Sequence, residues 1–132
     1  MQKVVITGHD LTVDQIIAVC REGAEVVLSD ESREKILASR QVVNELVEER
    51  KVVYGITTGF GKFSDVVISQ DECKLLQKNL IITHAVGAGD PFKEDIARGI
   101  LLLRVNSLSN GFSGICLETV ETMIAKTSQP EL

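Results

Sequence analysis

The chain has 132 residues, of which 44% are apolar and 25% charged, and its formal net charge is −5. This composition is typical of a soluble globular protein and argues against intrinsic disorder. The negative charge argues against a nucleic-acid partner, because phosphate binding requires clustered lysine and arginine, and no apolar run approaches the ~20 residues of a membrane span.

The N-terminal part predicts a short strand and two helices. Residues 4–7 favour the strand, the Thr-x-x-Gln pattern at residues 12–15 is a capping box for the first helix, and Gly23 is expected to end it. The second helix is expected to begin after residues 29–30. Its apolar face is formed by Ile36, Val43, Leu46 and Val47. The charge run at residues 48–51 predicts a solvated helix end.

Residues 52–67 predict a loop, because β-branched residues and glycines replace the helical pattern. A Ser-x-x-Glu capping box at residues 69–72 begins the third helix, which continues towards Ala85. The fourth helix is expected to begin at Asp90-Pro91, with the aspartate as N-cap and the proline in the first helical position.

The fourth helix is expected to run to about Ser109 and to be closed by Asn110-Gly111. Ser113 is predicted to cap a fifth helix, from Ile115 to about Lys126. Residues 80–82 and 100–103 are apolar nearly all round their helices, which is typical of helices with neighbours on every side. Two explanations stay open: a compact bundle with one central helix, or helices that dock onto a further part of the protein or another subunit.

The three cysteines, Cys20, Cys73 and Cys116, are odd in number and widely spaced. They form no CxxC or metal-ligand spacing, so we expect reduced and mostly buried thiols in a reducing compartment. The cytoplasm is therefore the expected location, and residues 1–132 are expected to form a single domain.

The densest sequence signal is the glycine-rich segment of residues 54–63, which begins with the only tyrosine, Tyr54. A phosphate-binding loop is excluded, because Ile56 stands where a glycine is needed and Phe63 where a serine or threonine is needed. A dinucleotide fingerprint is excluded as well, because the segment does not open a helix directly after a long strand. From the residues alone, the segment is either a structural turn or part of an active site.

Three polar residues in or beside apolar helices are further candidates. His84 precedes a glycine-rich break, where a histidine acts either as an acid–base group in a cleft or as a hydrogen-bonded helix-end residue. Arg104 and Asn106 lie in an apolar helix and require partners, which a loop or a salt bridge would provide. The sequence contains no metal-ligand cluster.

Taken together, these segments resemble the histidine/phenylalanine ammonia-lyase family over roughly residues 1–126. The blocks that carry the resemblance, in family order, are residues 54–65, residues 76–85 with Gly87, Gly89 and Pro91, residues 98–106 and residues 111–114. The resemblance implies a mainly α fold: the helical N-terminal domain of the fumarase/histidase (L-aspartase-like) superfamily, with a short N-terminal strand and a glycine-rich loop.

The resemblance also implies a reaction, and it is closest to the histidine-specific members of the family. These members eliminate ammonia from L-histidine to give trans-urocanate in histidine catabolism. They use an electrophilic methylidene-imidazolone prosthetic group, which forms from an internal Ala-Ser-Gly. They are homo-tetramers whose active sites combine residues from several subunits, so a homo-oligomer is expected here.

By position, Tyr54 matches the family's catalytic tyrosine, which takes part in removing a proton from the β-carbon of the substrate. His84 matches a substrate-pocket position, and Gly59 and Gly61 match glycines that let the loop fold close over the substrate. Thr57 departs from the asparagine of many members, and we expect a minor effect on the loop.

Ala-Ser-Gly does not occur among the 132 residues, and the single Ser-Gly, Ser113-Gly114, follows Phe112. The resemblance places the electrophile shortly after the end of this sequence. The chain is therefore expected to be the N-terminal part of such a lyase, inactive by itself. The alternatives are a non-catalytic binding or assembly protein, and one half of a split lyase.

Overall fold

A computed structural model describes residues 2–59, 62 and 69–128 of the chain. It is mainly helical, as predicted. The elements in chain order are β1 (Lys3–Ile6), α1 (Val13–Glu22), β2 (Glu25–Leu28), α2 (Asp30–Glu48), α3 (Gln70–His84), α4 (Glu94–Leu108) and α5 (Leu117–Thr127). They form two compact units, one of residues 1–41 and 91–132 and the other of residues 42–90.

The first unit contains a two-stranded parallel sheet, in which Val4 pairs with Val26 and Ile6 with Leu28. The sequence predicted β1 within one residue but missed β2. The local pattern of β2 was present, since Val26 and Val27 are β-branched and the strand lies between Gly23 and Ser29. Parallel strands require a crossover connection, which α1 provides.

The core of the first unit lies between the sheet and helices α1, α4 and α5. Helix α4 packs against α1 and α5, and α5 packs against β2. The largest fully buried side chains of this unit include Ile6, Val19, Ile36, Leu102, Val105 and Val120. Ion pairs add to the packing at the rim: Arg21 of α1 contacts Asp95 of α4 at 3.1 Å. Such exposed pairs contribute little to stability, so the burial of apolar side chains holds this unit together.

Among the described residues helix α4 is buried on one face only, so the first of the two alternatives, a compact bundle with one central helix, is wrong. Leu102 is fully buried, whereas Ile100 and Leu103 are 53% and 51% exposed. The same holds in the second unit for α3, whose Ile81 and Ile82 are 71% and 63% exposed. Both helices therefore present apolar side chains that the described residues do not cover.

The two predicted capping boxes are confirmed. The Thr12 side chain accepts a hydrogen bond from the Gln15 amide, and the Gln15 side chain accepts one from the Thr12 amide. Ser69 and Glu72 form the same pair of bonds at the start of α3. The Ser69 amide and the Ser69 hydroxyl both donate to the Glu72 carboxylate, at 3.0 and 2.8 Å, and hold the pKa of that carboxyl below its ordinary value. Gly23 ends α1 in the left-handed conformation, as predicted, with φ of 73°.

Two predicted caps are wrong. The N-cap of α4 is Lys93 and not Asp90, and the N-cap of α5 is Cys116 and not Ser113; neither cap makes a side-chain hydrogen bond. Pro91 accordingly lies before α4 and not in its first turn. Both helices have acidic side chains in the first turn. Negative charge near the positive end of the helix dipole stabilises a helix that lacks a side-chain cap.

The loop between α4 and α5 fits tightly against α2. A Cβ atom on Gly111 would lie 2.6 Å from the backbone carbon of Lys35. Further along the loop, the Gly114 amide donates to the Ser39 hydroxyl at 2.9 Å, and the Gly114 carbonyl accepts from the Arg40 guanidinium at 3.1 Å. Gly111 was predicted as a helix stop, and its contact with α2 adds a second reason for a glycine at this position.

Among the described residues, Cys20 and Cys116 are free and half-buried, and not mostly buried as expected. Partial burial raises the pKa of the Cys20 thiol, which favours its neutral form. The Cys73 side chain lies outside the described part of the chain. No helix within the described ranges is both long and apolar enough to span a bilayer.

The close contact between Gly111 and α2 can be tested with two glycines that have the same backbone angle. Gly23 and Gly111 both have φ of 73°, but the space around Gly23 is open, whereas Gly111 touches Lys35. Gly23→Ala should cost only the left-handed backbone strain, about 1–2 kcal/mol. Gly111→Ala should cost this strain plus about 1–3 kcal/mol for steric overlap.

Urea unfolding of the 132-residue chain, followed by helical circular dichroism, measures both effects. An equal loss of unfolding free energy in the two variants would contradict the tight contact between the loop and α2.

Candidate functional site

The turn that carries Tyr54 follows the end of α2, within the second unit. Arg50 adopts a left-handed conformation with φ of 52°. The Lys51 amide donates to the Leu46 carbonyl at 3.1 Å, and the Arg50 amide donates to the Val47 carbonyl at 3.2 Å. These two bonds form a Schellman motif, which ends the helix at a defined residue. The predicted solvated helix end is confirmed, because residues 48–51 are all exposed.

Tyr54 lies in a five-residue turn, residues 53–57. The amides of Ile56 and Thr57 both donate to the Val53 carbonyl, at 3.1 and 3.0 Å. Gly55 has φ of 75°, a conformation that favours glycine. Tyr54 itself is 63% exposed. The turn thus fixes the backbone on both sides of a phenol that is open to solvent.

Thr57 closes this turn with its side chain, a role that the sequence did not reveal. The residue is buried, its hydroxyl accepts from the Val53 amide at 2.9 Å, and the hydroxyl proton goes to the Lys51 carbonyl. A threonine within a glycine-rich segment is a weak signal, because such residues commonly bond to nearby backbone. Threonine at position 57 was expected to have only a minor effect on the loop, so this role was missed.

The two glycines predicted to border the substrate have different outcomes. Gly59 is buried, and its carbonyl accepts a hydrogen bond from the Thr58 hydroxyl at 3.0 Å. Gly61 lies outside the described residues. The part of the segment that the structure describes is therefore a packed, hydrogen-bonded loop with Tyr54 on its exposed side.

His84 is the last residue of α3, and its ring bonds to the helix that carries it. The Nδ1 atom lies 2.9 Å from the Leu80 carbonyl oxygen and 3.1 Å from the Thr83 hydroxyl. The Thr83 hydroxyl proton is directed to the Asn79 carbonyl at 2.8 Å. Because a carbonyl oxygen only accepts, Nδ1 carries the proton, and neutral His84 presents an unprotonated Nε2 on an exposed side chain.

The structure places Tyr54, Gly59 and His84 in the unit of residues 42–90. Arg104 and Asn106 belong to the other unit. The side-chain amide of Asn106 donates to the Gly8 carbonyl at 3.4 Å. Asn106 therefore orients the loop that contains Gly8, which is one of the two alternatives predicted. Arg104 is exposed. Within the described ranges no group of three or more potential ligands fits a metal ion.

Tyr54 and His84 offer acid–base chemistry. A phenol and an imidazole both exchange protons with a bound molecule, and both side chains here are exposed. Helix α3, which ends at His84, and the residues after it expose several large apolar side chains: Leu75, Ile81, Ile82 and Val86. Exposed apolar side chains in such number are typical of binding sites and interfaces.

Ser113-Gly114, the single Ser-Gly of the chain, is a structural turn. Gly114 has φ of 66° and is buried, and both of its backbone polar groups bond to α2 residues. The Ser113 hydroxyl lies 3.4 Å from the Ile115 amide. This segment is engaged in fastening α2, and it lacks the alanine of an Ala-Ser-Gly.

Comparison with known proteins gives a consistent result. The profile of the family described as aromatic amino acid lyase matches residues 11–129. The chain is similar to the histidine ammonia-lyase of Caldanaerobacter subterraneus subsp. tengcongensis, with 56% identity over 124 residues. The match covers 94% of this chain and 24% of that enzyme, so the chain spans about a quarter of the length of the curated relatives it matches.

Solved structures agree with this similarity. The histidine ammonia-lyase of Trypanosoma cruzi superposes with a TM-score of 0.88 at 40% identity, over 96% of this chain and 25% of that one. The ergothionase of Treponema denticola superposes with a TM-score of 0.90 at 27% identity, over 96% of this chain and 26% of that one. The fold is thus shared by enzymes with different substrates.

The tautomer of His84 is directly measurable, and His9 is a matched control in the same molecule. At about pH 8, where imidazole side chains are neutral, a long-range ¹⁵N–¹H correlation spectrum should show His84 protonated on Nδ1. The His9 Nε2 lies 3.7 Å from an Asp10 carboxylate oxygen, too far for a hydrogen bond, so His9 should not show the same preference for a proton on Nδ1. A spectrum in which His84 carries its proton on Nε2 would contradict the bond to the Leu80 carbonyl.

Proposed function

The chain belongs to the aromatic amino acid lyase family, and on that premise we propose that it is the N-terminal part of a histidine ammonia-lyase. The complete enzyme converts L-histidine to trans-urocanate and ammonia in histidine catabolism. The observation that carries this proposal is the 56% identity to a histidine ammonia-lyase over 124 residues, a stretch that includes most of the chain.

In this proposal Tyr54 is the acid–base group that takes a proton from the β-carbon of the substrate. Its support is the fixed turn of residues 53–57, which holds an exposed phenol between two hydrogen-bonded backbone positions. A phenol needs help from its surroundings to become a phenolate base, as catalytic bases commonly do. The exposed position of Tyr54 leaves room for other parts of the enzyme to give that help.

His84 binds the substrate through Nε2 in this proposal. The neutral ring has its donor, Nδ1, engaged with α3, so it offers an acceptor to a donor group of the ligand. Gly59 and Gly61 would let the loop approach the substrate closely.

The electrophile of the family does not come from this chain. The methylidene-imidazolone group forms from Ala-Ser-Gly, which the sequence lacks, and Ser113-Gly114 does not fit as a substitute because Gly114 is bonded to Ser39 and Arg40. We therefore assign no step of this chain's chemistry to that group. The remainder of the enzyme would supply it, and the isolated chain would be inactive.

The exposed apolar side chains of α3 and α4 support assembly with further protein. Ile81, Ile82, Ile100 and Leu103 are each more than half exposed. Burial of such side chains stabilises a complex by about 25 cal/mol per Å² of apolar surface removed from water. We accordingly propose a homo-oligomeric enzyme, located in the cytoplasm, where its cysteines stay reduced.

The same exposed surface favours a second candidate function. A chain that uses these helices only to bind another protein would be a non-catalytic assembly protein, or one half of a split lyase completed by a second polypeptide. The two candidates differ in whether Tyr54 takes part in turnover once the missing part is provided.

The experiment that tests the proposed function uses the chain alone and a fusion. In the fusion, this chain replaces the matched quarter of the Caldanaerobacter histidine ammonia-lyase. Urocanate absorbance should appear when the fusion is mixed with L-histidine, and should not appear with the 132-residue chain alone. L-Tyrosine, followed by coumarate absorbance, is the control for substrate class.

Turnover of L-histidine by the chain alone would contradict the predicted inactivity. A fusion that folds and assembles like the unaltered relative, yet does not deaminate L-histidine, would contradict the proposed function and favour the assembly protein.

A further inference from the structure

We propose that Thr57 is a positioning residue for Tyr54: its side chain clamps the turn of residues 53–57 and so sets the direction of the phenol. This inference rests on the proposed function for the role of Tyr54, but the clamp itself is a property of the chain. Thr57 is 5% exposed, and it is one of five buried polar residues among those described.

The clamp consists of two hydrogen bonds through one oxygen atom. The Thr57 hydroxyl accepts from the Val53 amide at 2.9 Å and donates to the Lys51 carbonyl. The two backbone groups lie on either side of residue 52, so the hydroxyl bonds at two points to the segment that enters the turn. A hydroxyl is needed here because it is donor and acceptor at once.

The backbone of Thr57 adds a third connection. Its amide donates to the Val53 carbonyl at 3.0 Å, so both polar backbone groups of Val53 are bonded to Thr57. Val53 directly precedes Tyr54, and the orientation of its peptide groups decides where the Tyr54 Cα–Cβ bond points. The direction in which the Tyr54 side chain leaves the backbone therefore depends on these bonds.

The chemistry of the clamp separates two groups of substitutions. Valine has the shape of threonine but neither donates nor accepts, so Thr57→Val removes the bonding partner of the Val53 amide and of the Lys51 carbonyl at a partly buried position. Serine keeps the hydroxyl. Asparagine has a side-chain carbonyl oxygen that accepts and an amide group that donates, so it offers both functions that the clamp uses.

A first experiment uses the 132-residue chain and needs no enzymatic activity. Thr57→Val should make the Val53 amide exchange with solvent at least about tenfold faster, as measured by NMR, because that amide loses its bonding partner. Tyrosine fluorescence anisotropy should fall as well. Since the chain has one tyrosine and no tryptophan, this emission reports on Tyr54 alone.

The matched control is Thr127→Val, which removes the hydroxyl of another buried threonine whose bond, to the Ile124 carbonyl, lies outside the turn. This variant should leave the Val53 exchange and the Tyr54 anisotropy unchanged. Thr57→Ser and Thr57→Asn should also keep both values. Unchanged Val53 exchange in Thr57→Val would overturn the clamp. Where Thr57→Val does not give a folded chain, the serine and asparagine variants decide. If the Val53 amide then exchanges faster with solvent in both Thr57→Ser and Thr57→Asn, the clamp is overturned.

A second experiment measures turnover in the fusion with the Caldanaerobacter enzyme. A misplacement of a reacting group by about 1 Å costs on the order of 10²-fold in rate, so Thr57→Val should lower kcat by about that factor with little change in KM. Thr57→Asn and Thr57→Ser should keep kcat within about threefold of the parent. Thr57→Val with the parent kcat would overturn the positioning role.

The two experiments distinguish the failure of this inference from failure of the proposed function. If the parent fusion does not deaminate L-histidine, the proposed function fails, while amide exchange still decides whether Thr57 clamps the turn. If the parent fusion is active and only the Thr57 variants behave contrary to expectation, the positioning role alone fails.

Discussion

The burial of apolar side chains between the sheet and the helices holds the first unit together, and the close fit of the α4–α5 loop against α2 adds a contact that leaves no room for a side chain. Gly111 touches Lys35 where a Cβ atom has no room, and Gly114 bonds to Ser39 and Arg40 through both of its backbone groups. These contacts join the two chain segments, residues 1–41 and 91–132, that make up this unit. Position 111 requires glycine, since any larger residue there would displace the backbone of α2.

The second unit carries the acid–base groups on short, locally bonded structures. Tyr54 lies in a turn closed by Thr57, and His84 bonds to the carbonyl of its own helix. Both side chains are exposed, as are Ile81 and Ile82 of α3. The chain thus holds a phenol and an imidazole in defined local settings, and the relatives it matches are about four times as long. In the proposed enzyme, the electrophile and the surface that covers these apolar side chains belong to the rest.

Local features of the fold were predictable from the sequence, and features that depend on distant residues were not. The capping boxes at residues 12–15 and 69–72 are confirmed because each is made entirely within four residues. Strand β2 was missed because its parallel pairing depends on residues that lie 22 positions earlier in the chain. Ser113 was wrong as a cap because its segment bonds to α2 instead. Tyr54 was identified by resemblance, but the role of Thr57 depends on the burial of its hydroxyl, which a single sequence does not show.

The central claim is that Tyr54 is the acid–base group of a lyase active site that other parts of the enzyme complete. It is tested most directly by Tyr54→Phe in the fusion with the Caldanaerobacter enzyme, with kcat and KM for L-histidine as the measured quantities. The claim predicts a fall in kcat of about 10²–10⁴-fold, the usual contribution of a general acid–base group, in a variant that assembles like the parent. A Tyr54→Phe fusion that keeps the parent kcat would contradict it.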